Sequence, residues 1–343
     1  MSDMRAMVLE GYEAPLVSRA VPKPAIRPHD VLIRVGAAGV CATDLSIVAG
    51  SLPSVQPPRI LGHEIAGVVS EVGSEVGNIH QGDTVVVCYY LSCGDCDYCR
   101  IGRHTLCTRL GGRIGLEFDG GFAEFVTVPA RSAFPISSAI PFAYAAVLPD
   151  AGAAAWHAVC DRGHIGPGMQ ALVVGAGGLG LMAIQMAALC GAEVAAVDKH
   201  DAKLEAARDA GAASAVLVTG GRSPLPESLV GACDVAIDFV GERSSLALAL
   251  QSLRPGGRLV MVSYGYGGEQ LMVEPKQVIM KEIEVVGSRG SSRQDLIDVI
   301  RLVESGRVRP VVGNTFALEE ANLALESLRA GGVIGRCVLA FDR

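Results

Sequence analysis

The sequence predicts a two-domain α/β protein: a mostly β N-terminal half, then a doubly wound parallel sheet. Three observations predict it. The chain has 343 residues, and single cores stop growing near ~250–300 residues. Residues 1–150 are rich in short β-like runs broken by Gly and Pro, such as VLIRV (31–35), EIAGVVSEV (64–72), DTVVVCYY (83–90) and FAEFVTV (122–128). Beyond about Pro141, apolar strand-like runs alternate with helix-like ones.

The first half, with mixed spacing and frequent turns, fits a small, irregular, mostly antiparallel barrel. PFAYAAVLPDAGAAAWHAV (141–159) is Ala-rich and helix-like around Pro149. The strand-like runs after it are ALVVG (171–175), EVAAVD (193–198), SAVLV (214–218), CDVAIDFV (233–240), GRLVMVS (257–263) and EIEVVGS (282–288). Between them lie helix-like runs such as AKLEAARDAG (202–211) and SSLALALQSLRPGG (244–257), the latter ending on a Gly stop signal. Apolar strands alternating with amphipathic helices make a parallel sheet covered on both faces. The tail holds two helix-like runs, QDLIDVIRLVESG and LEEANLALESLRAG, and a closing strand, RCVLAF.

Half of the residues are hydrophobic and 19% are charged, which excludes a disordered chain. A net charge of −7 argues against a general nucleic-acid or anionic-membrane partner. The start, MSDMRAMVLEGYEAP, has no apolar core of a signal peptide, so a cytoplasmic location is expected. Residues 171–191 are uncharged and reach membrane-span length, but their five glycines and strand–turn–helix pattern point to a buried soluble element.

Gly175-Ala-Gly177-Gly178-Leu179-Gly180 is a G-x-G-x-x-G after a strand and at the start of a helix-like run. An acid, Asp198, ends the next strand eighteen residues past Gly180. That context reads as a Rossmann dinucleotide site. Glycines let backbone approach a pyrophosphate, and the helix N-terminus adds unpaired N–H groups. Asp198 would accept from ribose hydroxyls and repel a 2′-phosphate, which favours NAD, although Lys199 weakens that preference.

Of ten cysteines, four fall as C-x2-C-x2-C-x7-C: Cys93, Cys96, Cys99 and Cys107. Without a secretion signal they read as thiolate ligands, not disulfides. Four thiolates close a tetrahedral zinc completely and leave no position for substrate. Cys88, Cys160, Cys190, Cys233 and Cys337 sit in apolar runs and read as small buried hydrophobes. Cys41, in C-A-T-D, and His63, in G-H-E, lie in the β half. A catalytic zinc wants three protein ligands and one open position, and these two are natural candidates.

With the C-x-T-D and GHE motifs, the four-cysteine lobe, GAGGLG with Asp198, and the closing GRCVLAF, the chain resembles a zinc-dependent medium-chain alcohol dehydrogenase over essentially its whole length. The resemblance implies a GroES-like catalytic domain over 1–152 carrying the lobe at 93–107, a Rossmann NAD-binding domain over 153–288, and a return to the catalytic domain over 289–343. It implies two zinc ions per chain: a structural one on the four cysteines and a catalytic one on Cys41, His63 and Asp150, with Glu64 as an alternative ligand. Asp150 also fits a helix N-cap after Pro149. Asp44 would orient His63 by accepting its other ring N–H. Thr43 would pass the substrate proton toward the cofactor ribose, and Ser46 stands where relatives end that relay with a histidine. Arg336 would contact the pyrophosphate and Lys203 the adenosine ribose. Some relatives carry a basic residue at position 42 and a threonine at 154; this chain has Ala42 and Ala154.

The resemblance further implies hydride transfer between an alcohol and NAD. Leu52, Tyr89 and Trp156 are expected to wall the substrate, leaning toward a secondary or cyclic alcohol over a polyol. A homodimer or homotetramer is expected, with EIEVVGS able to pair across an interface. Arg100, Arg103, His104, Arg109 and Arg113 in or beside the lobe leave a nucleic-acid finger as the reading from another class.

Overall fold

The computed structural model describes residues 3–219, 225–265 and 270–341. The strands run in chain order β1 (Asp3–Leu9), β2 (Val17–Pro22), β3 (Asp30–Val40), β4 (Arg59–Ile60), β5 (Glu64–Val72), β6 (Thr84–Val87), β7 (Phe125–Pro129), β8 (Ala133–Pro135), β9 (Gln170–Val174), β10 (Glu193–Asp198), β11 (Ser214–Leu217), β12 (Cys233–Asp238), β13 (Leu253–Met261), β14 (Glu284–Gly287), β15 (Val312–Phe316) and β16 (Arg336–Ala340). The chain divides into two compact units: residues 1–150 with 292–306 and 312–343, and residues 151–291 with 307–311.

The first unit is built on a seven-stranded sheet in the order β15-β16-β3-β5-β6-β8, with β7 on β3, and a smaller sheet β2-β1-β4. Its pairings are antiparallel apart from β15 on β16. The run VLIRV buries Val31, Leu32, Ile33 and Val35 and leaves Arg34 exposed. The core of Val31, Ile33 and Val35 includes Leu9, Leu61, Ile65, Phe122 and Leu339. Two strand registers gather polar groups at one place. Gly39 on β3 lies opposite Glu64 on β5, and Cys337 on β16 lies opposite Val40. Arg336, Cys41 and Glu64 therefore come from neighbouring strand ends. The helix Arg293–Glu304 also belongs here; Ser292 caps it by accepting from the Asp295 N–H at 3.0 Å.

The second unit is an all-parallel sheet, β11-β10-β9-β12-β13-β14. This is the doubly wound order, in which the chain reverses direction across the sheet between β9 and β12. The uncharged stretch 171–191 resolves into β9, a turn and the helix Gly178–Leu189; no helix among the described residues is long and apolar enough to cross a membrane. The segment 307–311 is tied to that helix by Gln185, which donates to the Arg309 carbonyl and accepts from its N–H, both at 2.9 Å.

Three local expectations change. The helix expected over 244–257 stops at Ser252, and β13 already begins at Leu253. Pro255 bars Arg254 from helical backbone, so the stop comes before the glycines. The stretch 141–159 is not one regular helix: Phe142–Ala146 and Ala153–Trp156 are α-helical, with wider π turns over Leu148–Gly152 and His157–Arg162. Pro149, lacking an N–H, interrupts the ladder. Cys160 and Cys190 are only half-buried, and their sulfurs lie 4.0 Å apart.

Gly180 packs so tightly beneath the turn that a Cβ would sit 1.8 Å from the Gly175 carbonyl oxygen. Gly180→Ala is expected to destabilise the protein by ~1–3 kcal/mol, measured by urea denaturation.

Candidate active site

β3 ends at Val40, and Cys41 caps the helix Ala42–Val48. The Asp44 carboxylate accepts from the Cys41 N–H at 2.8 Å, which fixes the corner from which the thiol projects. His63 immediately precedes β5, whose first residue is Glu64. Asp150 closes the first unit within the wide turn Leu148–Gly152. The fold brings these sequence-distant donors together: one ligand atom each from Cys41, His63, Glu64 and Asp150 lies within 4.8 Å of every other, and all four residues are buried.

Asp150 Oδ2 lies 3.5 Å from the Cys41 sulfur and 3.8 Å from His63 Nε2. Metal–ligand bonds of about 2.0–2.3 Å in a tetrahedron put donors about 3.3–3.8 Å apart, so the spacing suits a zinc ion. Sulfur, nitrogen and oxygen donors are also the set zinc prefers. Asp150 does not act as a helix cap; its oxygens engage Cys41, Tyr89 and Arg336.

Arg336 is the buried cation of the cluster. Its guanidinium donates to Glu64 through Nε at 2.9 Å and also through Nη2. Nη2 further donates to Asp150 Oδ2 at 2.7 Å and to the Cys41 sulfur at 3.2 Å. Gly39 makes room for this arrangement, since a Cβ there would fall 2.0 Å from Glu64 Oε2. Burial pushes Glu64 up to about 8, against the pull of Arg336. Burial also opposes ionisation of Asp150, but His63 and Arg336 outweigh it and hold its carboxyl well below the usual carboxylate range. Burial disfavours the His63 imidazolium, and Asp150, Asp44 and Cys41 more than reverse this, leaving it well above its ordinary value.

Asp44 faces His63, but the Oδ1–Nδ1 separation is 3.7 Å, beyond hydrogen-bond length. Both atoms are buried without a hydrogen-bond partner. Thr43 Oγ1 lies 3.6 Å from the Cys41 sulfur. Ser46 turns back and donates to the Ala42 carbonyl at 3.3 Å.

In the lobe, Cys93, Cys96, Cys99 and Cys107 also form a cluster within 4.8 Å. The Cys93–Cys99 and Cys96–Cys107 sulfurs are 3.9 and 3.8 Å apart, and zinc–thiolate bonds of about 2.3 Å require about 3.8 Å. The Cys96 and Cys93 N–H groups donate to the sulfurs of Cys93 and Cys107 at 3.4 and 3.3 Å. Backbone N–H groups of Cys99 and Thr108 lower Cys96 to about 6, whereas burial pushes Cys99 up to about 12. A bound divalent cation overrides such a cost by deprotonating its thiols. Arg109 and Arg113, part of the basic cluster read from the sequence, pair with Asp95 and Glu117.

At the nucleotide motif, the helix Gly178–Leu189 starts after Gly177, and a Cβ on Gly177 would meet nothing within 4 Å. That face of the turn is open to a ligand. Asp198, at the end of β10, accepts from the Ala176 N–H at 2.8 Å and the His200 N–H at 3.0 Å, so it also holds the glycine turn. Lys203 is half-buried, and burial lowers its ammonium from the ordinary value.

Residues 27–138 match the family of the alcohol dehydrogenase GroES-like domain, and residues 178–305 that of the zinc-binding dehydrogenases. An NAD-dependent alcohol dehydrogenase of Saccharolobus solfataricus is 36% identical over 350 residues, covering 98% of this chain and 99% of that protein. An alcohol dehydrogenase of Geobacillus stearothermophilus is 34% identical over 343 residues, covering 99% of this chain and all of that one. The cobalt- and zinc-bound thermostable alcohol dehydrogenase from Pyrobaculum aerophilum superposes with a TM-score of 0.90 at 34% identity, over 98% and 99% of the two chains. The chain belongs to the zinc-dependent medium-chain alcohol dehydrogenase family.

Two residues make contacts that the sequence reading did not name. Arg336, expected at the cofactor pyrophosphate, has Nε and Nη2 committed to Glu64, Asp150 and Cys41. Its place follows from the β16–β3 register, which the sequence does not print. Tyr89, expected only as pocket wall, donates its hydroxyl to Asp150 Oδ1 at 3.0 Å. Its aromatic character was legible; its bond to Asp150 was not.

Gly39→Ala is expected to displace Glu64, to lower stability by ~1–3 kcal/mol in thermal or urea unfolding, and to weaken metal uptake at the Cys41 cluster while leaving the lobe loaded.

Proposed function

We propose that this chain is an NAD-dependent zinc alcohol dehydrogenase whose catalytic metal is held by Cys41, His63 and Asp150. The observation that carries the reading is the buried sulfur–nitrogen–oxygen cluster in a member of this family, with donors at tetrahedral spacing. Bound there, zinc supplies Lewis acidity, which acidifies an alcohol or polarises a carbonyl. Glu64, held by Arg336, is the alternative ligand. The four lobe cysteines hold a structural zinc that orders a loop poor in apolar residues.

The chain's own residues supply position, charge and a proton path. Arg336 balances the buried thiolate and carboxylates. Thr43, beside Cys41, passes the substrate proton toward the cofactor ribose. Ser46 does not end that path, because its hydroxyl is turned onto the Ala42 carbonyl and cannot act as a base near neutral pH. NAD is held at the turn Gly175, Gly177, Gly178, Leu179 and Gly180, with Asp198 and Lys203 at the adenosine ribose. Arg336 is assigned to the metal cluster ahead of the pyrophosphate.

We assign Leu52 and Tyr89 to the substrate wall from their sequence positions, and such an apolar wall favours secondary or cyclic alcohols over polyols. The exposed apolar side chains Met272, Ile279, Met280 and Val285, beside and on the edge strand β14, support a homodimer or homotetramer formed at that edge. We place the protein in the cytoplasm. The nucleic-acid reading loses the support of Arg109 and Arg113, which are neutralised by neighbouring carboxylates.

An alcohol and ketone panel followed by NADH absorbance tests the activity; no turnover with any member would overturn it. His63→Ala is expected to remove several kcal/mol of transition-state stabilisation, a fall in kcat of about 1000-fold or more, with NADH binding retained. Elemental analysis should find two zinc ions in the wild-type chain. Asp198→Ala is expected to cut the preference for NAD over NADP by about tenfold, equivalent to about 1.4 kcal/mol, measured as the ratio of kcat/KM values.

A further inference from the structure

Tyr89 lies two residues past the end of β6, and its backbone carbonyl accepts from the Ile114 N–H at 2.9 Å. Its ring packs on Tyr90 at 4.6 Å between centroids and on the His63 imidazole at 5.0 Å. The side chain is therefore fixed between a strand end and one of the cluster's own members. Its hydroxyl donates to Asp150 Oδ1 at 3.0 Å.

The two oxygens of Asp150 are thus differentiated. Oδ2 is the one 3.5 Å from the Cys41 sulfur and 3.8 Å from His63 Nε2, and it accepts from Arg336. Oδ1 points to Tyr89. The distinction has a chemical consequence. A carboxylate can give a metal one oxygen or both. A catalytic zinc needs three protein ligands and an open fourth position; a chelating Asp150 would fill it. Thiolate or imidazole in that place would raise no such problem, since each presents a single donor atom.

We propose that Tyr89 is a positioning residue for Asp150: its hydroxyl occupies Oδ1, so that Asp150 offers the metal Oδ2 alone and the fourth position stays available to substrate. The inference rests on the catalytic-zinc reading and deepens it.

The test compares wild type with Tyr89→Phe, which removes the hydroxyl and keeps the ring. Zinc affinity at the Cys41 cluster, read by competition with a chromophoric chelator, is expected to shift by about 10–100-fold, the size found for loss of other groups that orient metal ligands. The lobe zinc and the melting transition serve as controls for folding. In protein with cobalt at the Cys41 cluster, visible absorption is expected to weaken in the variant as Asp150 chelates and coordination expands from four to five. A merely structural role of Tyr89 would not change that spectrum. Two metals bound in both proteins, with the same affinity and the same cobalt spectrum, would overturn the role of Tyr89 while leaving the zinc reading intact. A wild-type protein that takes up metal only at the lobe would overturn the zinc reading and the proposal with it. Should Tyr89→Phe not fold, Tyr89→Met, of similar reach and without the donor, carries the same comparison.

Discussion

The guanidinium of Arg336 binds Glu64, Asp150 and Cys41 in a fully buried setting, and the candidate active site is organised around it. Two carboxylates and a thiol so close together repel one another once ionised, and burial removes the water that would screen them. One cation with fixed, planar donors relieves part of that repulsion and sets orientation as well as charge. The contact is possible because β16 and β5 flank β3, and because Gly39, between them, has no side chain to obstruct Glu64. Sheet register thus decides the electrostatics of the site. His63 turns Nε2 to the cluster, 3.8 Å from Asp150 Oδ2, while Nδ1 and the facing Asp44 oxygen, on the other side of the ring, have no hydrogen-bond partner.

In the proposed reading the two clusters use thiolates for opposite ends. The lobe gathers four identical donors within fifteen residues, so local chain geometry alone can enclose an ion. Backbone N–H groups of the same loop stabilise the sulfurs. Such a site is closed, and its contribution is to order a segment rich in charge and poor in apolar contacts. The Cys41 cluster takes donors from the end of β3, the start of β5 and a turn more than a hundred residues away. Its geometry is set by the sheet, and in the proposed reading three of its donors, Cys41, His63 and Asp150, hold the metal and leave a coordination position for chemistry.

Much was legible because it is periodic or local. EIAGVVSEV coincides with β5 and EVAAVD with β10. The glycine fingerprint declared its strand, turn and helix because only glycine tolerates the approach of Gly180 to the Gly175 carbonyl. Where expectation and structure differ, a competing local rule won. Pro255 ended a helix before the glycines expected to stop it, and the Ala-rich run around Pro149 is helical only in short pieces, with Pro149 inside a wide π turn.

The sequence by itself determined the two-part α/β architecture, the nucleotide turn and the four-cysteine lobe. Each depends on residues near one another in the chain, where spacing translates directly into geometry. It also supplied Cys41, His63 and Glu64 of the second cluster through their motifs, and Asp150 through the family resemblance. Tertiary structure decided their relations: that Arg336 serves this cluster, that Asp44 stands 3.7 Å from His63, and that Tyr89 takes one oxygen of Asp150 and leaves the other to face Cys41 and His63. Those relations depend on strand register and side-chain direction across segments far apart in sequence. A shift of one residue in register would turn the same side chains to the other face, and nothing in their spacing along the chain records which face was chosen.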